Sequence, residues 1–416
     1  MTAEILCVGT ELLLGDIVNT NAAFLSRELA RIGVGVYCQT VVGDNAKRLE
    51  ESLALALSRA DIVVMTGGLG PTYDDLTKET VAAYFKLPME RDEKALEQIK
   101  CFFHKIGREM TRSNEKQAEI PKGADVFYNK WGTAPGLAVS QNGQTVIMLP
   151  GPPSEMKPMF AEYALPYLEK QSGRVFLSRT VRLFGIGESA LEDLLHDKMS
   201  RAKNPTIAPY AGVGEVSLRI TASGADQEAC ERLIEPVLQE ITEQVHPYIY
   251  GVDVPNMQFA LVRLLQERKW KIATAESCTG GLLSARITEI DGASEVFDCG
   301  VCSYANEIKQ SVLGVSAETL EQYGAVSRQT AAQMAAGIRK LAKADIGIST
   351  TGIAGPGGGT PEKPVGTVYV GIDSEKVKKV LHLKLAWRNA EDERQTIRHR
   401  TALHAFFEAL RLAKEV

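Results

Sequence analysis

The stretch that decides the fold of the first part of the chain is Asp61-Ile-Val-Val-Met65, which runs directly into Thr66-Gly-Gly-Leu-Gly-Pro-Thr72. The first segment is a short apolar run, typical of a strand buried on both faces. The second is rich in glycine, which allows the backbone to turn tightly where a strand ends. A helix is expected to begin near Asp75. This order of strand, glycine loop and helix is typical of α/β domains.

The same alternation continues on both sides of this stretch. Ile5–Val8 and Thr145–Leu149 read as short buried strands, and the first is ended by Gly9. Apolar residues at helical spacing predict further helices at 22–32, 92–105 and 154–168. We therefore expect residues 1–170 to form an α/β domain with a mostly parallel sheet and helices on both faces.

The pattern changes near Val175. Strands are expected at 180–184 and 214–221, and helices at 190–198 and 227–244. We therefore expect residues 171–252 to form a small α+β module. This module lacks a glycine-rich loop or catalytic cluster, and we interpret it as a spacer or dimerisation module. A linker is expected at Gly251–Pro255.

A second α/β domain is expected over residues 256–416. Its strand Lys271–Ala275 runs into Glu276-Ser-Cys-Thr-Gly-Gly281, and its strand Asp345–Thr350 runs into Thr351-Gly-Ile-Ala-Gly-Pro356. The last helix is expected at 392–412. In open α/β sheets, ligands bind at the carboxyl ends of strands, so both glycine loops are candidate site elements.

Composition limits the classes of function. With 47 Lys and Arg against 52 Asp and Glu, the formal charge is −5, which argues against a direct nucleic-acid partner. A signal peptide and a membrane span are not expected, and seven scattered cysteines suit a reducing compartment, so we expect a cytoplasmic protein. Cys299 and Cys302 lie three apart in a predicted strand and should point to opposite faces, which argues against a redox or zinc site.

Ser277 is the central candidate of the C-terminal domain. At the end of a strand it can act as a nucleophile, bind a phosphate or cap the following helix, and the motif alone does not decide between these roles. Free N–H groups at the start of the helix from Leu282 could stabilise an anion. Tyr304 and Lys309 are candidates to assist the serine, because a partly buried lysine can act as a base. Cys278 is a rival nucleophile.

Two arginines could bind the phosphate of a substrate. Arg394 and Arg398 lie one helical turn apart, and arginine suits bidentate phosphate binding, although an ordinary solvated helix face is an open alternative. The loop from Gly352 to Gly366 is dense in glycine and could wrap closely around a ligand.

The N-terminal domain has its own candidate site. Gly67 and Gly68 permit close approach of a phosphate, and Thr72 and Asp74 follow them in the same loop. Asp44 and Asp75 are candidate metal ligands, because carboxylates beside phosphate usually indicate a divalent cation. One of the loop carboxylates could instead cap the helix.

Four ordered C-terminal motifs resemble the nicotinamide-mononucleotide deamidase domain of the CinA family. They are Ala275-Glu-Ser-Cys-Thr-Gly-Gly281, Ser303-Tyr-Ala-Asn-Glu-Ile-Lys309, Tyr323-Gly-Ala-Val-Ser327, and Gly352-Ile-Ala-Gly-Pro-Gly-Gly358 with Lys363-Pro-Val-Gly-Thr-Val368.

This resemblance implies hydrolysis of nicotinamide mononucleotide to nicotinic acid mononucleotide and ammonia, without a cofactor. It makes Ser277 the nucleophile and Tyr304 and Lys309 its assistants. The substrate-binding residues would be Thr279, Gly280, Gly281, Gly352, Gly355, Arg394 and Arg398. The chain departs from the family pattern at Ala305 and at Ala390-Glu-Asp-Glu-Arg394.

The N-terminal motifs resemble the molybdopterin-binding fold in the form that the CinA family carries, which includes Leu149-Pro-Gly-Pro-Pro-Ser-Glu-Met156. The resemblance implies metal-dependent ADP-ribose pyrophosphatase activity with Mg²⁺, Mn²⁺ or Co²⁺, with Gly67, Gly68, Thr72 and Asp74 near the substrate. A homodimer is also expected. Two alternatives stay open: a nucleotide-binding interaction protein of competence or DNA damage, and a molybdenum-cofactor-related enzyme.

Overall fold

The computed structural model describes residues 1–172, 175–385 and 392–415. Within it, the chain divides into two compact units. The first comprises Met1–Ser178 and Thr221–Glu235, and the second comprises Arg179–Ile220 and Pro236–Val416.

The first unit is built on a six-stranded sheet of order β2-β1-β3-β8-β7-β6, with a separate two-stranded sheet of β4 and β5. The strands are β1 (Thr2–Val8), β2 (Gly35–Val42), β3 (Ile62–Thr66), β4 (Met89–Arg91), β5 (Glu119–Pro121), β6 (Asp125–Phe127), β7 (Gly136–Gln141) and β8 (Gln144–Leu149). The helices are α1 (Thr10–Leu14), α2 (Thr20–Arg31), α3 (Ala46–Leu57), α4 (Thr77–Phe85), α5 (Glu93–Lys105), α6 (Pro153–Met159) and α7 (Leu165–Ser172).

Four neighbouring strands of this sheet are parallel, and β7 and β6 add an antiparallel edge. Apolar clusters cover both faces, one formed with α2 and α6 and the other with α3 and α4. This confirms the expected α/β domain. The predicted helix 154–168 is interrupted by a π-helical turn at Phe160–Ala164.

The middle module has a four-stranded sheet of order β10-β11-β9-β12. Its elements are β9 (Val175–Phe184), α8 (Glu188–Arg201), β10 (Thr206–Ala211), β11 (Glu215–Gly224), α9 (Gln227–Val245) and β12 (Ile249–Val252). The linker expected at Gly251–Pro255 was placed wrongly, because its first residues belong to β12, which pairs with β9. Tyr250 in that strand is buried, so the chain is held in the sheet there.

The C-terminal domain is built on a five-stranded sheet of order β14-β13-β15-β16-β17. The strands are β13 (Ile272–Glu276), β14 (Phe297–Cys302), β15 (Ile346–Gly352), β16 (Thr367–Asp373) and β17 (Lys378–Lys384). The helices are α10 (Met257–Arg268), α11 (Leu282–Thr288), α12 (Asn306–Ser311), α13 (Ala317–Tyr323), α14 (Arg328–Ala342) and α15 (Glu393–Glu415).

In this sheet β14, β13 and β15 are parallel, whereas β16 and β17 are antiparallel to their neighbours. One face is covered by α10, α11 and α15, and the other by α14 together with α13 and the segment after α12. The carboxyl ends of the three parallel strands therefore meet at one edge, and the chain leaves them at Ser277, Ser303 and Ile353. No helix within the described residues is long and apolar enough to cross a membrane.

Candidate active site

The Ser277 loop begins where β13 ends. The amide of Ser277 donates to the carbonyl of Thr350 on β15 at 2.9 Å, and the amide of Ser303 donates to the carbonyl of Glu276 at 2.8 Å. The backbone pairing of the sheet thus extends one residue past β13 and β14. Ser277 is half-buried at this edge.

A buried carboxylate organises this loop, and the sequence reasoning did not identify it. Glu276 is fully buried, and its side chain accepts hydrogen bonds from Thr279 Oγ1 at 2.8 Å, Leu283 N at 3.0 Å, and Ser284 N and Oγ at 2.9 and 2.8 Å. The signal in the sequence was a carboxylate inside an apolar strand, which is costly to bury unless it is hydrogen-bonded.

The expectation that the start of the Leu282 helix could bind an anion is wrong. Its first amides are occupied, because Leu282 N donates to the carbonyl of Thr279 at 3.3 Å and the next two amides donate to Glu276. In the part of the chain that the structure describes, the amides of Thr279 and Gly281 have no acceptor. The amide of Cys278 likewise has no acceptor among these residues, so the N–H groups of Cys278, Thr279 and Gly281 are the remaining backbone donors beside Ser277.

The three residues of this loop that were expected to bind substrate differ in the groups that they expose to the site. The Thr279 hydroxyl is buried and bonded to Glu276 and, at 2.7 Å, to Thr350 Oγ1, so its side chain points into the protein. Gly280 and Gly281 have φ values of 59° and 92°, which favour glycine, and they present only backbone.

Lys309 on α12 is buried, with 1% of its surface exposed. Its Nζ donates to the carbonyls of Ser303 at 2.7 Å and Tyr304 at 3.1 Å. Burial lowers the pKa of the Lys309 amine from its ordinary value, because the charged form is desolvated. A neutral amine has two N–H donors and one lone pair. In that form the two carbonyls would occupy both donors and leave the lone pair able to accept a proton.

Tyr304 lies at the rim of the site. Its side chain is 67% exposed, and within the described residues its phenol makes no hydrogen bond, so Lys309 contacts the backbone of Tyr304 and not its hydroxyl. The assisting role of Tyr304 stays a prediction.

The thiol of Cys278 is buried, and burial raises its pKa to about 12. Since the thiolate is the reactive form, this thiol is a poor nucleophile at neutral pH. The other cysteine pair behaves as expected for a strand: Cys299 is half-buried and Cys302 is exposed.

Arginines from α15 connect the two glycine loops of the site. Arg398 donates to the carbonyl of Thr279 through Nε at 3.2 Å and Nη2 at 2.7 Å, and Arg394 donates to the carbonyl of Gly355 at 2.7 Å. Both guanidinium groups therefore position loop backbone, and any contact with a substrate phosphate stays a prediction. The departure from the family pattern at Ala390 and Glu391 lies outside the described residues.

Packing explains two glycines of the second loop. A Cβ at Gly352 would lie 2.7 Å from Val368 Cγ2, and one at Gly355, where φ is 79°, would lie 2.7 Å from Val365 Cγ1. The same loop is fixed at its far end by Lys363, whose Nζ donates to the carbonyls of Tyr323 at 2.9 Å and Val326 at 2.8 Å.

The N-terminal candidates line one open pocket of about 420 Å³ at the carboxyl ends of β1, β2, β3 and β8. It brings together Gly67, Gly68, Thr72, Asp44, Asp74 and Asp75, as well as Glu11 and Glu155. Its lining, within the described residues, has five carboxylates and no basic side chain. The pocket is therefore strongly acidic.

Hydrogen bonds fix the loop carboxylates. Asp44 accepts from the amide and hydroxyl of Thr10 at 2.9 and 2.7 Å, and Asp75 accepts from the amide of Thr72 at 2.9 Å. The Thr72 hydroxyl also donates to Asp74 and thereby holds the pKa of Asp74 below its ordinary value.

Gly67 and Gly68 have φ values of 98° and 66°, and a Cβ at Gly67 would lie 2.1 Å from the carbonyl oxygen of Val8. Only glycine therefore fits the backbone at Gly67, and its conformation fixes the course of the loop between β3 and α4.

Glu155 was not among the predicted site residues. It accepts from Asn129 Nδ2 at 2.6 Å, and burial raises its pKa. The sequence signal that could have identified Glu155 as a site residue is its position in the segment Leu149–Met156, directly after a strand.

The described residues contain no group of three His, Cys, Asp or Glu side chains arranged to hold a metal ion. Mg²⁺, however, commonly binds one or two carboxylates together with substrate phosphates rather than a complete protein cage. Asp44 and Asp75, both in the lining of the acidic pocket, fit that mode.

Fold and sites together define a multidomain α/β protein with a pocket at the strand ends of its first domain and a glycine-rich Ser277 loop at the strand ends of its last. The profile described as "CinA C-terminal domain" matches residues 255–413, "Probable molybdopterin binding domain" matches 4–170, and "Damage-inducible protein CinA KH domain" matches 178–251. The chain belongs to the CinA family. The expected α/β architecture with a small middle module is thus confirmed, and the middle module is KH-like.

Relatives match along almost the whole chain. A competence-damage inducible protein of Thermoanaerobacter pseudethanolicus is 50% identical over 405 residues, covering 97% of both chains. One from Clostridium acetobutylicum is 51% identical over 400 residues, covering 96% of both. A solved structure of a CinA protein from Thermoplasma acidophilum is 38% identical, covers 41% of this chain and 96% of its own, and has a TM-score of 0.37.

Proposed function

We propose that the C-terminal domain hydrolyses the carboxamide of nicotinamide mononucleotide to nicotinic acid mononucleotide and ammonia. The observation that carries this proposal is the buried amine of Lys309, which donates to the carbonyl of Ser303, the residue that follows the β13–β14 register opposite Ser277. Burial lowers the pKa of Lys309 and thereby favours the neutral amine, in which two N–H groups would go to these carbonyls and the lone pair would be free. An amine in this state can accept the proton of a serine as the serine attacks an acyl carbon.

In the proposed reaction, Ser277 Oγ forms a bond to the carboxamide carbon while its proton passes to Lys309. The free amides of Cys278, Thr279 and Gly281 are the backbone donors available to the developing oxyanion. The C–N bond then breaks, and the leaving ammonia receives the proton back from Lys309. Water attacks the acyl-enzyme by the same route and releases the acid and Ser277. The choice of nicotinamide mononucleotide rests on the family resemblance.

The test is ammonia release from nicotinamide mononucleotide by wild type, Ser277→Ala, Cys278→Ala and Ser311→Ala. Ser311 is an exposed serine on α12 and serves as the matched control. We expect Ser277→Ala to lose about 1000-fold or more in kcat, as for other nucleophiles, with unchanged circular dichroism. Full turnover by Ser277→Ala would refute the assignment. Loss in Cys278→Ala alone would transfer it to the thiol, and an inactive wild type would make the site a binding pocket.

A second activity, metal-dependent cleavage of ADP-ribose, is proposed for the N-terminal domain. The acidic pocket supports it, because five carboxylates without a basic side chain would repel a pyrophosphate unless a cation lay between them. A bound divalent cation would supply that charge and activate water for attack. Asp44 and Asp75 would hold it, and Gly67 and Gly68 would let the phosphates approach the backbone.

The pyrophosphatase test supplies Mg²⁺, Mn²⁺ and Co²⁺ in turn and follows AMP release from ADP-ribose. Intact ADP-ribose under all three conditions would end this proposal and leave a binding role for the N-terminal domain. Binding of molybdopterin by the protein would instead favour the molybdenum-cofactor alternative. A homodimer is proposed as well, and a monomer mass by light scattering would remove it.

A further inference from the structure

Ser303 carries a fully buried hydroxyl that the proposed mechanism does not use. The residue is 0% exposed, and its Oγ has no hydrogen-bond partner among the described residues. Buried polar groups are normally hydrogen-bonded, so an unpaired one needs an explanation, and a catalytic role is among the recognised ones.

The sheet register places this hydroxyl beside Ser277. The last two registered pairs between β13 and β14 are Ala275 with Val301 and Glu276 with Cys302. The next pair is Ser277 with Ser303, and the bond from Ser303 N to Glu276 O continues the ladder to that point. Neighbouring strands lie about 4.8 Å apart, so the two serines are adjacent at the edge of the sheet.

The pleat also places both serines on one face. Side chains two residues apart in a strand point the same way, so Ser277 shares a face with Ala273 and Ala275, and Ser303 with Cys299 and Val301. Those four residues pack together in one cluster with α13, α14 and the segment that follows α12. Lys309 projects from α12, and its Nζ bonds the Ser303 carbonyl at 2.7 Å. The titratable groups with the strongest electrostatic effect on it are Cys278 and Glu307.

We propose that the Ser303 hydroxyl relays the proton between Ser277 and Lys309. In this structure the Ser303 hydroxyl is bonded to neither Ser277 nor Lys309. A serine hydroxyl is both donor and acceptor, and rotation about its Cα–Cβ bond would direct it first to one of them and then to the other. As Ser277 Oγ forms its bond to the acyl carbon, its proton moves to Ser303 Oγ, and the proton of Ser303 moves to the Lys309 lone pair. The sequence reverses when the C–N bond breaks, and the leaving amine takes the proton.

This inference rests on the proposed amidohydrolase function. It assigns proton transfer between Ser277 and Lys309 to the Ser303 hydroxyl, whereas the family resemblance would assign it to the phenol of Tyr304. The two assignments predict different effects of mutation. Under the relay, removal of the Ser303 oxygen slows the acylation of Ser277, and removal of the Tyr304 phenol does not affect the proton path.

The experiment measures pH profiles of kcat and KM for ammonia release in wild type, Ser303→Ala, Ser303→Thr and Ser303→Cys. Ser294→Ala, at an exposed serine outside the site, is the control. We expect Ser303→Ala to lower kcat about 100-fold, the usual scale of a proton-transfer contribution, with KM within about threefold. Ser303→Thr keeps the hydroxyl and should restore most of kcat, whereas the thiol of Ser303→Cys, a weak donor, should restore little. A purely structural role would instead change KM or thermal stability and show no preference for a hydroxyl.

A second readout does not depend on the substrate: the rate at which a fluorophosphonate probe labels Ser277, mapped by mass spectrometry. If wild type releases no ammonia but is labelled at Ser277, and labelling slows about 100-fold in Ser303→Ala, the relay stands and only the substrate assignment fails. Unchanged kcat or labelling in a folded Ser303→Ala would overturn the relay. Absence of labelling in wild type at every pH would also overturn the relay. If Ser303→Ala does not fold, the comparison of Ser303→Cys with Ser303→Thr tests the relay instead.

Discussion

Glu276 is the residue whose removal tests most directly how the Ser277 loop is held. Its carboxylate receives two backbone amides and two hydroxyls, and all four donors lie in or next to the loop. In Glu276→Ala, the hydroxyls of Thr279 and Ser284 can turn to other acceptors, since each already contacts another hydroxyl. The amides of Leu283 and Ser284 cannot turn.

The magnitude follows from those two amides. Leaving a buried donor unsatisfied costs about 1–3 kcal/mol, so Glu276→Ala should lower the free energy of unfolding by about 4 kcal/mol. Glu276→Gln keeps one acceptor oxygen and should cost about 2 kcal/mol. Turnover should fall in both variants, because the amides of Thr279 and Gly281 are positioned by the same loop.

Urea unfolding measures the change in stability, and hydrogen exchange of the peptide 277–288 localises it. Glu321→Ala, at an exposed glutamate of α13, is the matched control and should change stability by less than about 0.5 kcal/mol. If Glu276→Ala matched that control and kept the exchange protection of Leu283 and Ser284, the carboxylate would not be what holds the loop, and the reasoning would be refuted.

Three further predictions concern the thiol, a buried lysine and the acidic pocket. Because the pKa of Cys278 is raised to about 12, iodoacetamide at pH 8 should alkylate it at least about 100-fold more slowly than the exposed Cys101, as measured by peptide mass spectrometry. Burial lowers the pKa of Lys78 in the first unit from 10.5 to about 8. The unfolded chain therefore binds more protons between these values, and pulse proteolysis in urea, scored on fragments of residues 1–170, should show stability rising by about 1 kcal/mol from pH 7 to pH 9. Lys78→Met should lose that rise, and a rise that persisted would point to other groups. Asp44→Asn and Asp75→Asn should weaken Mn²⁺ binding by about tenfold or more in calorimetry, whereas Glu51→Gln on the exposed face of α3 should not.

The sequence predicted the α/β domains well where apolar runs were followed by glycine, as at 61–72 and 271–281. These signals are local, since a buried strand and a turn need particular residues at particular places. It did not predict the interruption at Phe160–Ala164 or the inclusion of Gly251 in a strand, because both depend on partners distant in the chain.

The candidate site shows the same division. The loops were found from their glycines, and the three carboxyl strand ends that meet at Ser277 follow from parallel topology. The hydrogen bonds from the α11 amides to Glu276 could not be predicted, because they depend on the direction in which one carboxylate points. Nor could the backbone partners of Arg394 and Arg398, which look like free cations in the sequence.

Long cationic side chains hold the site loops in place by hydrogen bonds to backbone carbonyl oxygens. Arg398 donates to Thr279, Arg394 to Gly355, and Lys363 to Tyr323 and Val326. A carbonyl oxygen is present whatever residue carries it. These attachments therefore do not depend on the side chains of the positions that supply the carbonyls, although packing restricts Gly355 and Thr279 for other reasons. A change at Tyr323 or Val326 can leave the attachment by Lys363 in place, whereas loss of the lysine removes it.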